Sequence, residues 1–140
     1  MKNVLILCTG NSCRSQIAHG YFEKMTDGRR VKIYSAGIET HGVNPRAIAT
    51  MAEDGIDISK NTSNNVAEYA GINFDFVITV CDNANELCPI FPGKARKFHQ
   101  NFPDPAKATG SDAEVMAQFR EVRGQIKSFV EKFVLENGLA

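Results

Sequence analysis

The chain has no apolar run approaching the ~20 residues that span a bilayer, no excess of charge of either sign, no internal repeat and no low-complexity linker. Each absence closes a class. Without the long run, a membrane span is excluded. Sixteen basic residues balance sixteen acidic ones, and no Lys/Arg cluster provides the surface that a nucleic acid or an anionic membrane requires. The opening Met1-Lys2-Asn3-Val4-Leu5-Ile6-Leu7 holds too short an apolar stretch for a secretion signal. A cytoplasmic protein is expected. Without repeats or linkers, residues 1–140 read as a single domain, long enough to bury a core unaided. A small, neutral chain of this kind is expected to be a monomer.

What is present alternates. Val4-Leu5-Ile6-Leu7 suits a strand buried on both faces. A helical pattern then runs from about Arg14 through Ile17, Ala18, Tyr21, Phe22 and Met25, with Gly28 beyond it. Val31-Lys32-Ile33-Tyr34 is a second strand, ending at Ser35-Ala36-Gly37. Asn44 before Pro45 is a helix start, and that helix carries Ile48, Met51 and Ala52 up to Gly55. Phe76-Val77-Ile78-Thr79-Val80 is a third strand and delivers Cys81 at its end; Arg96-Lys97-Phe98-His99 is a short edge strand. The stretch from Asn101 to Gly110 reads as loop. Ser111-Asp112-Ala113-Glu114 is a capping box. It opens a long helix whose core stripe is Val115, Phe119, Val122, Ile126, Phe129 and Phe133. Its arginines Arg120 and Arg123 are assigned to the solvated face. Strands alternating with helices predict an α/β fold, a parallel sheet with helices on both faces.

The most informative segment follows the first strand. Cys8-Thr9-Gly10-Asn11-Ser12-Cys13-Arg14-Ser15 has the spacing C-x5-R-S. In an open parallel sheet, ligands bind at the carboxyl ends of the strands, and the first strand-to-helix turn is a frequent anion site. A loop of this length can point successive N–H groups at one centre, a nest for an anion. The helix beginning near Arg14 adds its N-terminal partial charge. Arg14 supplies a charged fork for two oxygens. All of these favour thiolate over thiol at Cys8, and Ser15 can donate to the sulfur. Gly10 and Asn11 tolerate a left-handed backbone. Thr9, Ser12 and Cys13 complete the loop, with Cys13 expected to contribute an N–H and fill space. The reading is a thiolate facing a tetrahedral oxyanion.

Two further cysteines, Cys81 and Cys88, lie six residues apart, which is not the spacing of a zinc knuckle or a thioredoxin-like motif. They are open to three readings: small core residues, half of a four-cysteine zinc site, or a redox pair. Asp104, in Phe102-Pro103-Asp104-Pro105, is a candidate proton donor on a loop stiffened by two prolines. Taken alone, an Asp between prolines is a turn residue. His41 and His99 have no spacing that suggests a metal or a base and are assigned to the surface.

Cys8 to Ser15 resembles the signature of the low-molecular-weight protein tyrosine phosphatase fold. The longer run to Gln16 resembles more narrowly the thioredoxin-coupled arsenate reductases built on that fold. The similarity continues through Tyr34-Ser35-Ala36-Gly37-Ile38-Glu39-Thr40-His41-Gly42-Val43-Asn44-Pro45, Asp57-Ile58-Ser59 and the later cysteine pair. The resemblance implies a three-layer α/β sandwich around a four-stranded parallel sheet of order 2-1-3-4. It implies that Cys8 attacks arsenate with Asp104 as general acid, that Cys81 and then Cys88 take over the oxidation by disulfide exchange, and that reduced thioredoxin restores the pair. Phosphate or sulfate would compete for the loop. No bound cofactor is implied.

Two departures from the phosphatases matter. An aromatic usually follows their catalytic Asp-Pro, whereas Ala106-Lys107 follows here and the chain has no Trp; a bare oxyanion fits better than an aryl phosphate. The resemblance also implies a potassium site beneath the loop, at Asn11, Ser35 and Thr62. His19 and Asn64 stand where the family has Glu and Asp, so that site is expected to be weak or lost. The alternatives are a phosphatase with regulatory cysteines and a glutaredoxin-coupled arsenate reductase.

Overall fold

A computed structural model describes residues 1–82 and 89–140. Strands β1 (Lys2–Leu7), β2 (Val31–Ala36), β3 (Phe76–Thr79) and β4 (Arg96–His99) alternate with helices α1 (Arg14–Met25), α2 (Pro45–Glu53) and α3 (Asp112–Glu136). Every neighbouring strand pair is parallel, and the order across the sheet is β2-β1-β3-β4, as expected.

The central place of β1 follows from its composition. Val4, Leu5, Ile6 and Leu7 are all fully buried, which only a strand covered on both faces allows. Their side chains alternate between two cores. Val4 and Ile6 join Ile17, Phe22, Met51, Phe119 and Ile126, which the three helices supply; Leu5 and Leu7 meet Ala36, Phe74 and Val77. The second face is covered by a 3₁₀ turn at Val66–Tyr69, with Tyr34, Tyr69, Phe74 and Phe91 packed edge to face around it. Asn65 and Glu68 cap that turn reciprocally. β2 runs two residues past its apolar stretch, because β1 continues to pair with it as far as Leu7 opposite Ala36.

Both helix starts behave as their sequences dictate. The Asn44 side chain accepts from Arg46 N with Pro45 in the first turn, and Ser111 with Glu114 forms the full capping box of α3. The buried face of α3 is wider than the expected stripe, since Val130 and Val134 are buried as well. Val130, four residues after Ile126, is fully buried, while Phe129 lies at the flank of the buried face. There Phe129 packs edge-on against Phe102, ring centroids 5.8 Å apart, and so ties the Asp104 loop to the helix. Arg120 and Arg123 are not simply solvated. Arg120 forks Glu53, and Arg123 donates to the Thr50 carbonyl and to Glu53, placing cations at the carboxyl end of α2, where its dipole favours them. Among the described residues, no helix is long and apolar enough to cross a membrane.

Candidate active site

β1 hands over to α1 through residues 8–13 at the carboxyl edge of the sheet. The Cys8 N–H still donates to Ala36 O, at 3.2 Å, continuing the ladder with β2. Asn11 then adopts the left-handed region, φ 47°, as the loop curls back. Fully buried, it donates through Nδ2 to Ser15 Oγ at 2.7 Å and accepts through Oδ1 from Asn64 N at 2.8 Å. Ser15 Oγ lies 2.9 Å from Cys8 Sγ. A hydroxyl that accepts from Asn11 keeps its one proton for another partner, so Ser15 is the donor and Cys8 the acceptor.

The loop is held from outside by its carbonyls. Thr9 O accepts from Glu39 N, Gly10 O from His41 N, and Ser12 O from Asn44 N. Gln16 Nε2 donates to Asn11 O and Thr62 O, and Ser63 Oγ reaches Gly10 O. Carbonyls tied outward turn the amide edge of such a loop toward its centre. Gly37 makes the closest approach. A Cβ there would stand 2.6 Å from Thr9 O and 2.9 Å from both Cys8 O and Asn11 N, so only glycine lets the end of β2 lie against the loop. Neither Gly37 nor Gln16 was picked out as a site residue from sequence; the run Ser35-Ala36-Gly37 gave only a strand end.

Arg14 opens α1 and is almost wholly buried. One guanidinium nitrogen donates to Phe102 O at 3.2 Å and the other lies 3.6 Å from Asp104 Oδ2, so the distant Pro-Asp-Pro loop is brought onto the anion loop. Asp104 Oδ1 accepts from Ala106 N and caps the 3₁₀ turn Pro105–Lys107. Between the two loops is a cavity of about 220 Å³, with Cys8, Ser12, Cys13, Arg14 and Asp104 inside and Glu39, His41, Ala106 and Lys107 at its mouth. Burial pushes the Cys13 thiol up to about 12, only partly offset by its hydrogen bond from Ser12, and the negative Asp104 adds to the effect. Cys13 is a neutral wall atom.

Cys81 follows β3. Val80 N donates to Leu7 O, and the buried Cys81 Sγ lies 3.9 Å from the same carbonyl, next to the residue that precedes Cys8. Cys81 is disulfide-bonded, whereas Cys8 and Cys13 are free thiols. Cys88 lies outside the described residues. Beneath the loop, Ser35 Oγ is 2.8 Å from His19 Nδ1, and the other ring nitrogen of His19 faces Glu23 at 3.3 Å. Thr62 Oγ1 is directed at Asn64 Oδ1, and Asn11 Oδ1 is taken by Asn64 N. His19 and Asn64, which stand where the family has acids, thus bond Ser35 Oγ, Thr62 Oγ1 and Asn11 Oδ1 and bring no carboxylate of the kind a hard cation prefers. His99 is bonded to Thr79 and Asn101, away from the cavity. His41, by contrast, is at its mouth and not merely on the surface.

Residues 3–139 match the family model of the low molecular weight phosphotyrosine protein phosphatase. The chain belongs to that family. It is 46% identical over 132 residues to an arsenate reductase of Halalkalibacterium halodurans, covering 94% of each chain. It is 44% identical over 132 residues to an arsenate reductase of Bacillus subtilis, again covering 94% of each. Among solved structures it is similar to an arsenate reductase in the phosphate binding state, with a TM-score of 0.80, 34% identity and 100% of both chains covered.

Proposed function

We propose that this protein reduces arsenate to arsenite through a relay from Cys8 to Cys81 to Cys88, recharged by a dithiol protein of the thioredoxin class. The observation that carries the reading is the placement of the sulfurs. Cys8, inside the anion loop, is free, while Cys81, packed against the adjoining strand end, is in a disulfide. A second sulfur that can form a disulfide, held beside the strand that delivers Cys8, is what the relay requires; the loop of a phosphatase has no need of it.

In the first step arsenate lies against the loop N–H groups and Arg14. The Cys8 thiolate, stabilised by the Ser15 hydroxyl, attacks As(V); an As–S bond forms, an As–O bond breaks, and Asp104 protonates the oxygen, which departs as water. Cys81, as thiolate, then attacks Cys8 Sγ. The S–As electron pair stays on arsenic, arsenite leaves as As(III), and a Cys8–Cys81 disulfide remains. Cys88 attacks Cys81 Sγ and expels Cys8 as thiolate, leaving Cys81–Cys88 for the external dithiol. Phosphate and sulfate share the tetrahedral shape and compete for the loop. With His19 and Asn64 in place of two acids, any potassium site at Asn11, Ser35 and Thr62 is weakened, and no step depends on it. A thioredoxin-class donor places the activity in the reducing cytoplasm, where removing arsenate is detoxification.

The test is consumption of NADPH by the reduced protein with arsenate, thioredoxin and thioredoxin reductase. Consumption that depends on arsenate and is lost in Cys8→Ser is expected; none would overturn the reading. Replacing thioredoxin by glutaredoxin and glutathione identifies the donor. Strong hydrolysis of an aryl phosphate, indifferent to Cys88→Ser and without arsenate reduction, would make the protein a phosphatase with accessory cysteines.

A further inference from the structure

The cavity has two walls above the sulfur. One is the 3₁₀ turn with Asp104, Ala106 and Lys107; the other is Glu39 and His41. Attack in line by Cys8 on a tetrahedral centre drives the leaving oxygen away from the sulfur, toward Asp104 and the gap between these walls. A bare oxyanion sends only oxygen through that gap. An ester sends oxygen with its organic group attached, so the second wall decides whether esters are accommodated.

That wall is fastened to the loop itself. Glu39 N donates to Thr9 O at 3.0 Å and His41 N to Gly10 O at 3.2 Å. The His41 ring rests on the bare Cα of Gly10; a Cβ added there would come within 2.7 Å of Nδ1 and 3.2 Å of Cε1. His41 Nε2 meets Glu39 Oε2 at 2.8 Å, and both side chains are 58% exposed. A polar contact that exposed adds little to fold stability, so stability does not account for its place at the mouth. Its groups are polar and charged, and Ala106 opposite is small. A ring entering the gap meets a barrier on one side and only the small Ala106 on the other.

We infer that the Glu39–His41 pair is a specificity-determining wall that excludes organic phosphate esters from the Cys8 loop while admitting bare tetrahedral oxyanions. The inference rests on the reading of the loop as an arsenate site, and it is separable from that reading in the test. Hydrolysis of para-nitrophenyl phosphate, its inhibition by inorganic phosphate, and arsenate reduction are measured for the wild-type protein, His41→Ala and His41→Gln. His41→Ala opens the wall, and the ratio of aryl-phosphate to arsenate kcat/KM is expected to rise at least about tenfold, the scale of a steric change in a pocket. His41→Gln keeps most of the bulk and the contact with Glu39 and is expected to keep the wild-type ratio. The inorganic phosphate inhibition constant reports whether the loop itself is intact. An unchanged ratio in His41→Ala, or aryl-phosphate turnover and phosphate inhibition falling together, overturns the wall. Absence of arsenate reduction in the wild-type protein overturns the proposed function instead. In that case aryl-phosphate kcat/KM set against phosphate inhibition still decides the wall.

Discussion

Replacing Asn11 by Ala tests whether this one side chain shapes the anion loop. Asn11 sits at φ 47°, a region that costs a residue with an ordinary Cβ roughly 1–2 kcal/mol and that Asn tolerates. Its amide holds Ser15 Oγ at 2.7 Å and Asn64 N at 2.8 Å, each bond contributing about 1 kcal/mol net. Asn11→Ala is therefore expected to cost about 3 kcal/mol of stability. Asn11→Gly, which relieves the backbone but not the lost bonds, should cost about 1 kcal/mol less. The chain has no Trp, so urea unfolding is best followed by far-ultraviolet circular dichroism, with the m-value checked for constancy. A loss below about 1 kcal/mol in the Ala variant, or a Gly variant as unstable as Ala, would refute the reasoning.

Other expectations follow from the same geometry. Asp104→Asn keeps the shape but removes the proton, so kcat for arsenate should fall about 10²- to 10³-fold with little change in KM; a fall under about tenfold would remove Asp104 as general acid. Gly37→Ala lies outside the cysteine motif, yet its Cβ would strike Thr9 O at 2.6 Å. Turnover should drop about 10²-fold, the cost of misplacing a reacting group by an ångström, and unchanged turnover with unchanged phosphate inhibition would contradict that packing. The hydrogen bond from Tyr21, and then Lys127, hold the Asp54 carboxyl below the usual range. A folded value lying below the unfolded one near 4 gives stability that is complete above about pH 4 and is lost as pH falls through the lowered value. Acid unfolding should therefore be less steep in Asp54→Asn, with the two proteins converging at low pH; parallel curves would contradict this.

Much of the architecture is legible in short-range patterns. The continuous run Val4–Leu7 announces a strand covered on both faces, and Asn44-Pro45 and Ser111-x-x-Glu114 announce helix starts that the structure reproduces. The Cys8, Arg14 and Ser15 spacing is local and so is readable. What escapes is contact between distant segments. Nothing near Gly37 states that Thr9 O will lie against it, and nothing near His41 states that Gly10 will lie under its ring. Arg123 looks like a surface residue until α2 presents Thr50 O to it. The four-and-three stepping of α3 brings Phe129 to the core, where it packs half-buried against Phe102, but it does not mark the neighbouring Val130, which is fully buried. Asn65 and Glu68 carry a capping signal as clear as that of α3, but on one turn, too short for a periodic pattern to mark.

The central claim is that oxidation starting at Cys8 ends on the distant cysteine pair. It is tested most directly by giving the fully reduced protein one equivalent of arsenate without reductant, blocking free thiols and mapping tryptic peptides. Cleavage leaves Cys8 and Cys13 together in residues 3–14, and Cys81 and Cys88 together in residues 61–94. Of the six possible disulfides, Cys8–Cys13 and Cys81–Cys88 each lie within a single peptide and the other four, Cys8–Cys81 among them, join the two peptides, so the end state of the relay is distinguishable from its intermediate. The account predicts that residues 61–94 become unblocked and lighter by two hydrogens, with Cys8 blocked as a free thiol and arsenite released. A disulfide between Cys8 and Cys13, with residues 61–94 fully blocked, would contradict it.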